Sequence, residues 1–94
     1  MIDKYENQAE IDELNRKLSE ISPGLKVTGF TVVGNRVGTA FVWLLEKGNK
    51  KVIDQLIALG FRKVRRQMVR TSDYWTLSTT YSMEVVLEKA LGGR

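Results

Sequence analysis

The residues of this chain that could do chemistry are cations and aromatic rings rather than the usual catalytic groups. The sequence has no histidine and no cysteine, which removes the commonest general base, the thiolate nucleophile and most transition-metal ligands. Carboxylates are present but scattered, and nothing in the spacing of Glu46, Asp54 and Asp73 argues for a magnesium site. No glycine-rich phosphate loop occurs. We therefore expect a protein that is not an enzyme and that uses no cofactor or metal.

Positive charge concentrates in one segment of the chain. The net charge is +4 although residues 1–21, with six acids and three bases, carry −3. Residues 61–71 contain no acid and five cations, namely Arg62, Lys63, Arg65, Arg66 and Arg70. A local positive field of this kind favours polyanions. The alternative interpretation is a solvated strand edge whose charges prevent aggregation.

Aromatic residues form a second concentration. Phe30, Phe41 and Trp43 fall in one β-rich stretch, and Tyr74 and Trp75 follow the basic segment. Rings in strands belong to a core more often than to a ligand surface. Each of these residues is therefore a candidate for base stacking, for the core or for a subunit interface.

Three segments have the apolar period of a helix. Residues 7–21 begin at Asn7 as a cap, and residues 50–59 begin after Asn49 and end before Gly60. Ser82 is expected to cap a third helix over residues 83–91, whose inward residues are Val86, Leu87, Ala90 and Leu91.

Two hairpins account for the remaining chain. The first joins strands 25–33 and 36–45 through Gly34-Asn35, a two-residue turn that favours positive φ. Pairing Phe30 with Thr39 and Val27 with Val42 places Phe30, Phe41 and Trp43 on one face, away from the aliphatic core. A slip of one residue would reverse this assignment.

The second hairpin joins strands 61–71 and 74–81 around Ser72-Asp73. Its expected register turns Lys63, Arg65, Gln67 and Tyr74 to one side. The inward side then holds Val64, Met68, Leu77 and Tyr81.

The resulting order is α-ββα-ββα in a single domain that spans residues 1–94. We expect an α+β fold with one four-stranded antiparallel sheet, helices packed on one face and the other face open. Rings and cations on that open face would stack bases and contact phosphates, which predicts binding of single-stranded DNA or RNA. The alternative is a homo-oligomerising protein-interaction module whose aromatic face is a subunit interface.

One stretch also supports a family resemblance. The segment Gly60-Phe61-Arg62-Lys63-Val64-Arg65-Arg66-Gln67-Met68-Val69-Arg70, followed by Tyr74-Trp75-Thr76-Leu77, resembles the basic, aromatic-bearing sheet of the ThermoDBP-type archaeal single-stranded-DNA-binding proteins. The resemblance implies an archaeal source and a cleft of hydrophobic and basic side chains. The absence of cysteine and histidine separately fits a thermophile that avoids labile side chains. The chain departs from the family's pattern because it lacks the long C-terminal zipper that family members can carry for oligomerisation. The residues that the resemblance would assign to binding are Phe30, Trp43, Arg65, Arg66 and Trp75.

The sequence also suggests where the protein acts. No run of about 18 apolar residues occurs, and the acidic stretch Met1-Ile2-Asp3-Lys4-Tyr5-Glu6 does not look like a signal peptide. We expect a cytoplasmic protein without a membrane partner. A domain of this size has little stability to spare, which favours a homo-oligomer.

Overall fold

The computed structural model describes residues 5–73 and 75–91, with Asp73 described by its backbone. The elements run α1 (Gln8–Ile21), β1 (Gly29–Val33), β2 (Arg36–Leu45), α2 (Lys50–Ala58), β3 (Arg62–Asp73) and β4 (Ser78–Ala90). All strand pairs are antiparallel, and the sheet order is β1-β2-β4-β3. The predicted α+β class with one four-stranded antiparallel sheet is confirmed.

The predicted C-terminal helix over residues 83–91 is wrong, and Ser82 caps nothing there. These residues belong to β4, which pairs with β2 on one side and β3 on the other. Val85 and Leu87 alternate into the core, which is a strand period. A central position satisfies the backbone groups of β4 from both sides, and its β-branched valines suit a strand better than a helix.

The two helices lie on one face of the sheet, as predicted. Ile11, Leu14 and Leu18 of α1 and Ile53 and Leu56 of α2 are buried. They form one core with apolar residues from the strands and their flanks, namely Val37, Ala40, Val42, Phe61, Val85, Leu87 and Leu91. No helix of the described residues lies on the opposite face of the sheet.

Asn7 and Asn49 precede the two helices but do not cap them with their side chains. Asn7 is 7% exposed, donates from Nδ2 to the carbonyl of Val37 (2.8 Å) and accepts at Oδ1 from the Val37 amide (3.0 Å). Asn49 donates to the carbonyl of Leu45 instead (2.6 Å). The first asparagine therefore ties the start of α1 to β2.

The first hairpin contains a shift that its local pattern does not reveal. The predicted register holds at Val33↔Arg36 and Val32↔Val37, but then changes to Thr31↔Thr39 and Phe30↔Ala40. Gly38 is the extra residue of this β-bulge. Because residues on a strand alternate between faces, the shift moves Phe30 to the helix-covered face.

The second hairpin is longer than predicted and turns after residue 73 rather than at Ser72-Asp73. Its outer part, Val69–Asp73 paired with Ser78–Ser82, extends beyond the last β2–β4 pair, Leu45↔Glu84. Five residues of strand span about 17 Å. We call residues 69–73 and 75–82 the arm.

Four apolar residues of this hairpin that were predicted to point inward are exposed. Val64 is the extra residue of a bulge between Lys63 and Arg65, and the other three lie beyond the last β2–β4 pair. The exposed fractions are 41% for Val64, 65% for Met68, 87% for Leu77 and 60% for Tyr81. Leu77 also has a φ of 57°, in the left-handed region that glycine and asparagine tolerate better.

Candidate nucleic-acid interface

The sheet face without helices presents three parallel rows of side chains, and we call it the open face. Directly paired residues of antiparallel strands project to the same side, so each row contains one residue from β2, one from β4 and one from β3. The rows are Phe41–Glu88–Arg62, Trp43–Val86–Arg65 and Leu45–Glu84–Gln67. Apolar side chains occupy the β2 end of every row, and polar or cationic ones occupy the β3 end.

The middle row joins an aromatic ring to a cation. Trp43 is 51% exposed, whereas Val86 is 6% exposed although no helix covers it. Val86 lies outside the core beneath the helices, and the two largest side chains of its row flank it. Arg65 is exposed and forms no ion pair with the described residues. The row therefore offers an accessible indole and an unneutralised guanidinium.

The two charged side chains of the first row neutralise each other. Arg62 donates from Nη2 and Nε to Oε2 of Glu88, at 2.9 Å and 3.1 Å. The Glu88 side chain is 25% exposed, and that of Arg62 is 77% exposed. A phosphate that approached Arg62 would have to compete with this carboxylate. Phe41, at the other end of the row, is half-buried.

In the third row, a carboxylate accepts a hydrogen bond from a side-chain amide. Gln67 donates from Nε2 to Oε1 of Glu84 at 2.9 Å, and both side chains are partly buried. Counting the charged residues of all three rows, Arg62 and Arg65 balance Glu84 and Glu88. The open face is thus amphipathic rather than strongly basic.

Lys63 and Arg66 were predicted as binding residues but lie on the helix-covered side of the sheet. A bulge between Lys63 and Arg65 shifts the register, so Lys63 pairs with Leu87 and Arg66 with Val85, both core residues. Lys63 lines a pocket of about 300 Å³ beside α2. These two cations are therefore separated from the rings of the open face.

Arg66 also forms an ion pair with a glutamate on its own side of the sheet. Its Nη2 and Nε donate to Glu46 at 2.7 Å and 3.0 Å. These hydrogen bonds lower the pKa of Glu46 below its ordinary value of 4.5 and raise the pKa of Arg66.

Phe30 does not share a face with Phe41 and Trp43, which corrects the predicted aromatic cluster. It pairs with the buried Ala40 and meets the ring of Tyr5 edge to face, with the ring centroids 5.5 Å apart. It is 39% exposed. The bulge at Gly38 is the cause of this displacement.

Two more of the predicted residues, Arg70 and Trp75, belong to the arm. Arg70 pairs with Tyr81 across the ribbon, on the side opposite to that of Arg65 and Gln67. Trp75, in the connection between the strands, is 92% exposed. Tyr74 lies outside the described residues. The open face thus brings together four of the ten predicted residues, namely Phe41, Trp43, Arg62 and Arg65.

Sequence reasoning missed Glu84, Val86 and Glu88 because it assigned residues 83–91 to a helix. The signal available in the sequence was the adjacent pair Val85-Val86, which favours a strand. In the described part of the chain, no group of three or more acidic residues is placed to hold a metal ion. No helix of that part is long and apolar enough to cross a membrane.

Comparison with known proteins identified no relative: no family model, no curated protein and no solved structure matches this chain.

Proposed function

We propose that this chain binds single-stranded DNA or RNA, without catalysis, through its open face. The observation that carries the proposal is the row Trp43–Val86–Arg65. It sets an exposed indole and a guanidinium without an ion pair among the described residues on either side of one small apolar residue. Adjacent strands are about 4.8 Å apart, so the two backbones are separated by about 10 Å. A base stacked on the indole leaves its phosphate within reach of a long arginine side chain.

The spacing of the rings favours an extended strand over a duplex. Phe41 and Trp43 are two residues apart on β2, which corresponds to about 6.7 Å. Bases in B-DNA follow one another every 3.4 Å along each strand. Two neighbouring bases can stack on the two rings only if they separate from each other, and a single strand permits this at low cost.

The charge of the face predicts a weak dependence on salt. Arg65 is free to contact a phosphate, whereas Arg62 is shared with Glu88. One to two phosphate contacts correspond to a slope of about −0.7 to −1.4 in log K against log salt for single strands. Most of the affinity then comes from stacking, at about 1–3 kcal/mol for each base.

The resemblance to ThermoDBP-type proteins agrees with this proposal but stays a prediction from sequence. Of its five binding candidates, Trp43 and Arg65 lie together on the open face, Arg66 and Phe30 on the other side, and Trp75 on the arm. The proposal therefore depends on the first two. A protein of this kind would act in the cytoplasm, where single strands are exposed.

The test is direct binding of a labelled thymine oligonucleotide of about 12 residues, followed by fluorescence anisotropy at about 50 mM salt. We expect saturable binding, weaker binding to the same length of duplex, and a large loss of affinity in Trp43→Ala. Lys63→Ala is the matched control, because Lys63 lies on the other side of the sheet. Absence of binding to any single strand at this salt would rule out the proposed function.

A second candidate is a homo-oligomerising module, and the charge balance of the open face favours it. Two arginines face two glutamates there, and the β2 end of each row is apolar, which is a composition found at subunit interfaces. Analytical ultracentrifugation separates the two candidates. A stable dimer that dissociates in Trp43→Arg and has no affinity for oligonucleotides would support the second.

A further inference from the structure

Glu84 is an unusual residue to find on a face proposed to bind a polyanion. Its carboxylate is partly buried, accepts one hydrogen bond from Gln67 and forms no ion pair with the described residues. Glu88, the other acid of the open face, is instead neutralised by Arg62. An unpaired carboxylate repels phosphate. A ligand that binds beside it must therefore offer hydrogen-bond donors instead.

The ligand group that suits this carboxylate best is a pair of N–H donors. An ionised carboxylate accepts hydrogen bonds at two oxygens and donates none. Gln67 uses part of the capacity of Oε1, and none of the described residues donates a hydrogen bond to Oε2. Nucleobases are the part of a single strand that offers N–H groups, and a carboxylate prefers two parallel donors to one.

Glu84 lies beside the proposed stacking residue. It is two positions from Val86 on β4, and it pairs with Leu45, two positions from Trp43 on β2. Diagonal neighbours of this kind are about 7–8 Å apart. A base that lies over the indole extends far enough for its hydrogen-bonding edge to reach the carboxylate.

We infer that Glu84, positioned by Gln67, reads the base stacked on Trp43 and makes the open face prefer guanine. This inference rests on the proposed function. Guanine alone presents two adjacent N–H donors, N1–H and N2–H, on its Watson–Crick edge. Adenine and cytosine present one amino group beside an acceptor, and thymine and uracil present one N–H between two carbonyls, so each would turn an acceptor toward the carboxylate.

The test uses thymine oligonucleotides that carry one central guanine, inosine, adenine or thymine. A single guanine leaves the oligonucleotide unstructured, and inosine removes only the N2 amino group. We expect guanine to bind at least about fivefold more tightly than thymine or adenine, as for a bidentate base contact. Inosine should lose most of this gain. These measurements on the unaltered protein do not depend on any variant folding.

Two variants complete the experiment. Glu84→Gln should abolish the preference for guanine, because an amide turns one donor toward the base. Glu88→Gln is the matched control on the same face and should keep the preference. Equal affinity for all four oligonucleotides would overturn the inference and leave the proposed function standing. No affinity for any of them would overturn both.

Discussion

Trp43 and Arg65 are both cross-strand neighbours of Val86, one on each side of β4. The indole and the guanidinium therefore project from the same side of the sheet, the side without helices. Neither is held there by a partner that a ligand would have to displace, since Arg65 forms no ion pair with the described residues and Trp43 is half exposed. This arrangement, with the indole on β2 and the guanidinium on β3 separated by β4, underlies the predictions about binding.

Replacing Arg65 should change the salt dependence of oligonucleotide binding. Arg65→Ala removes one phosphate contact, so the slope of log K against log salt should become less steep by about 0.7. The measurement is a set of anisotropy titrations across salt concentrations. Arg66→Ala is the matched control, because Arg66 is bonded to Glu46 on the other side of the sheet. Equal changes in the two variants would contradict the assignment of faces.

The conformation of Leu77 predicts that a substitution in the arm stabilises the protein. Its φ of 57° costs a non-glycine residue about 1–2 kcal/mol, and its side chain is 87% exposed. Leu77→Asn places a residue that tolerates this backbone. A gain of about 1 kcal/mol would raise Tm by about 4–8 °C. Calorimetry should show this rise, whereas Leu45→Asn, on an ordinary strand, should lower Tm.

Asn7 should prove more important for stability than its place at a helix start suggests. Its side chain satisfies both the amide and the carbonyl of Val37 in a buried setting. Asn7→Ala leaves those two groups without partners, so it should cost about 2–4 kcal/mol in urea unfolding. Asn49→Ala removes a single exposed hydrogen bond and should cost about 1 kcal/mol or less. Similar costs for the two variants would show that the tie between α1 and β2 is unimportant.

The ion pair between Glu46 and Arg66 predicts that the stability of the fold depends slightly on pH. The hydrogen bond from Arg66 lowers the pKa of Glu46 in the folded protein. A lowered carboxyl pKa stabilises the fold at pH values above the ordinary pKa of 4.5, and the effect is lost as the pH falls through the folded value. Glu46→Gln should therefore have a lower Tm than the unaltered protein at pH 7. The difference should shrink as the pH falls below 4.5 and through the lowered pKa of Glu46, and a difference that stays constant with pH would contradict the pairing.

The sequence allowed much of the fold to be predicted, because α1, α2 and the first hairpin follow strong periodic patterns. It was harder to predict which face of the sheet each strand residue occupies. One extra residue at Gly38 moved Phe30 away from Trp43, and another at Val64 moved Lys63 away from Arg65. A bulge is set by how two strands pair along their whole length, so a local pattern does not reveal it.

The C-terminal strand was missed for a related reason. Val86, Leu87, Ala90 and Leu91 fit a helical period as well as a strand. These residues form a strand because β4 pairs with both β2 and β3. This pairing is a feature of the tertiary structure, which the local sequence pattern does not contain. With the strand came Glu84 and Glu88, the acids that give the open face its balance of charge.

The central claim is that a base stacks on Trp43, and its fluorescence tests this most directly. The chain has two tryptophans, so Trp75→Phe leaves Trp43 as the only indole that reports. Titration with a thymine oligonucleotide should quench this emission, with a midpoint equal to that of anisotropy. Trp43→Phe should bind more weakly, while Trp75 reports separately on the arm. Unchanged Trp43 emission while the oligonucleotide is bound would contradict the account.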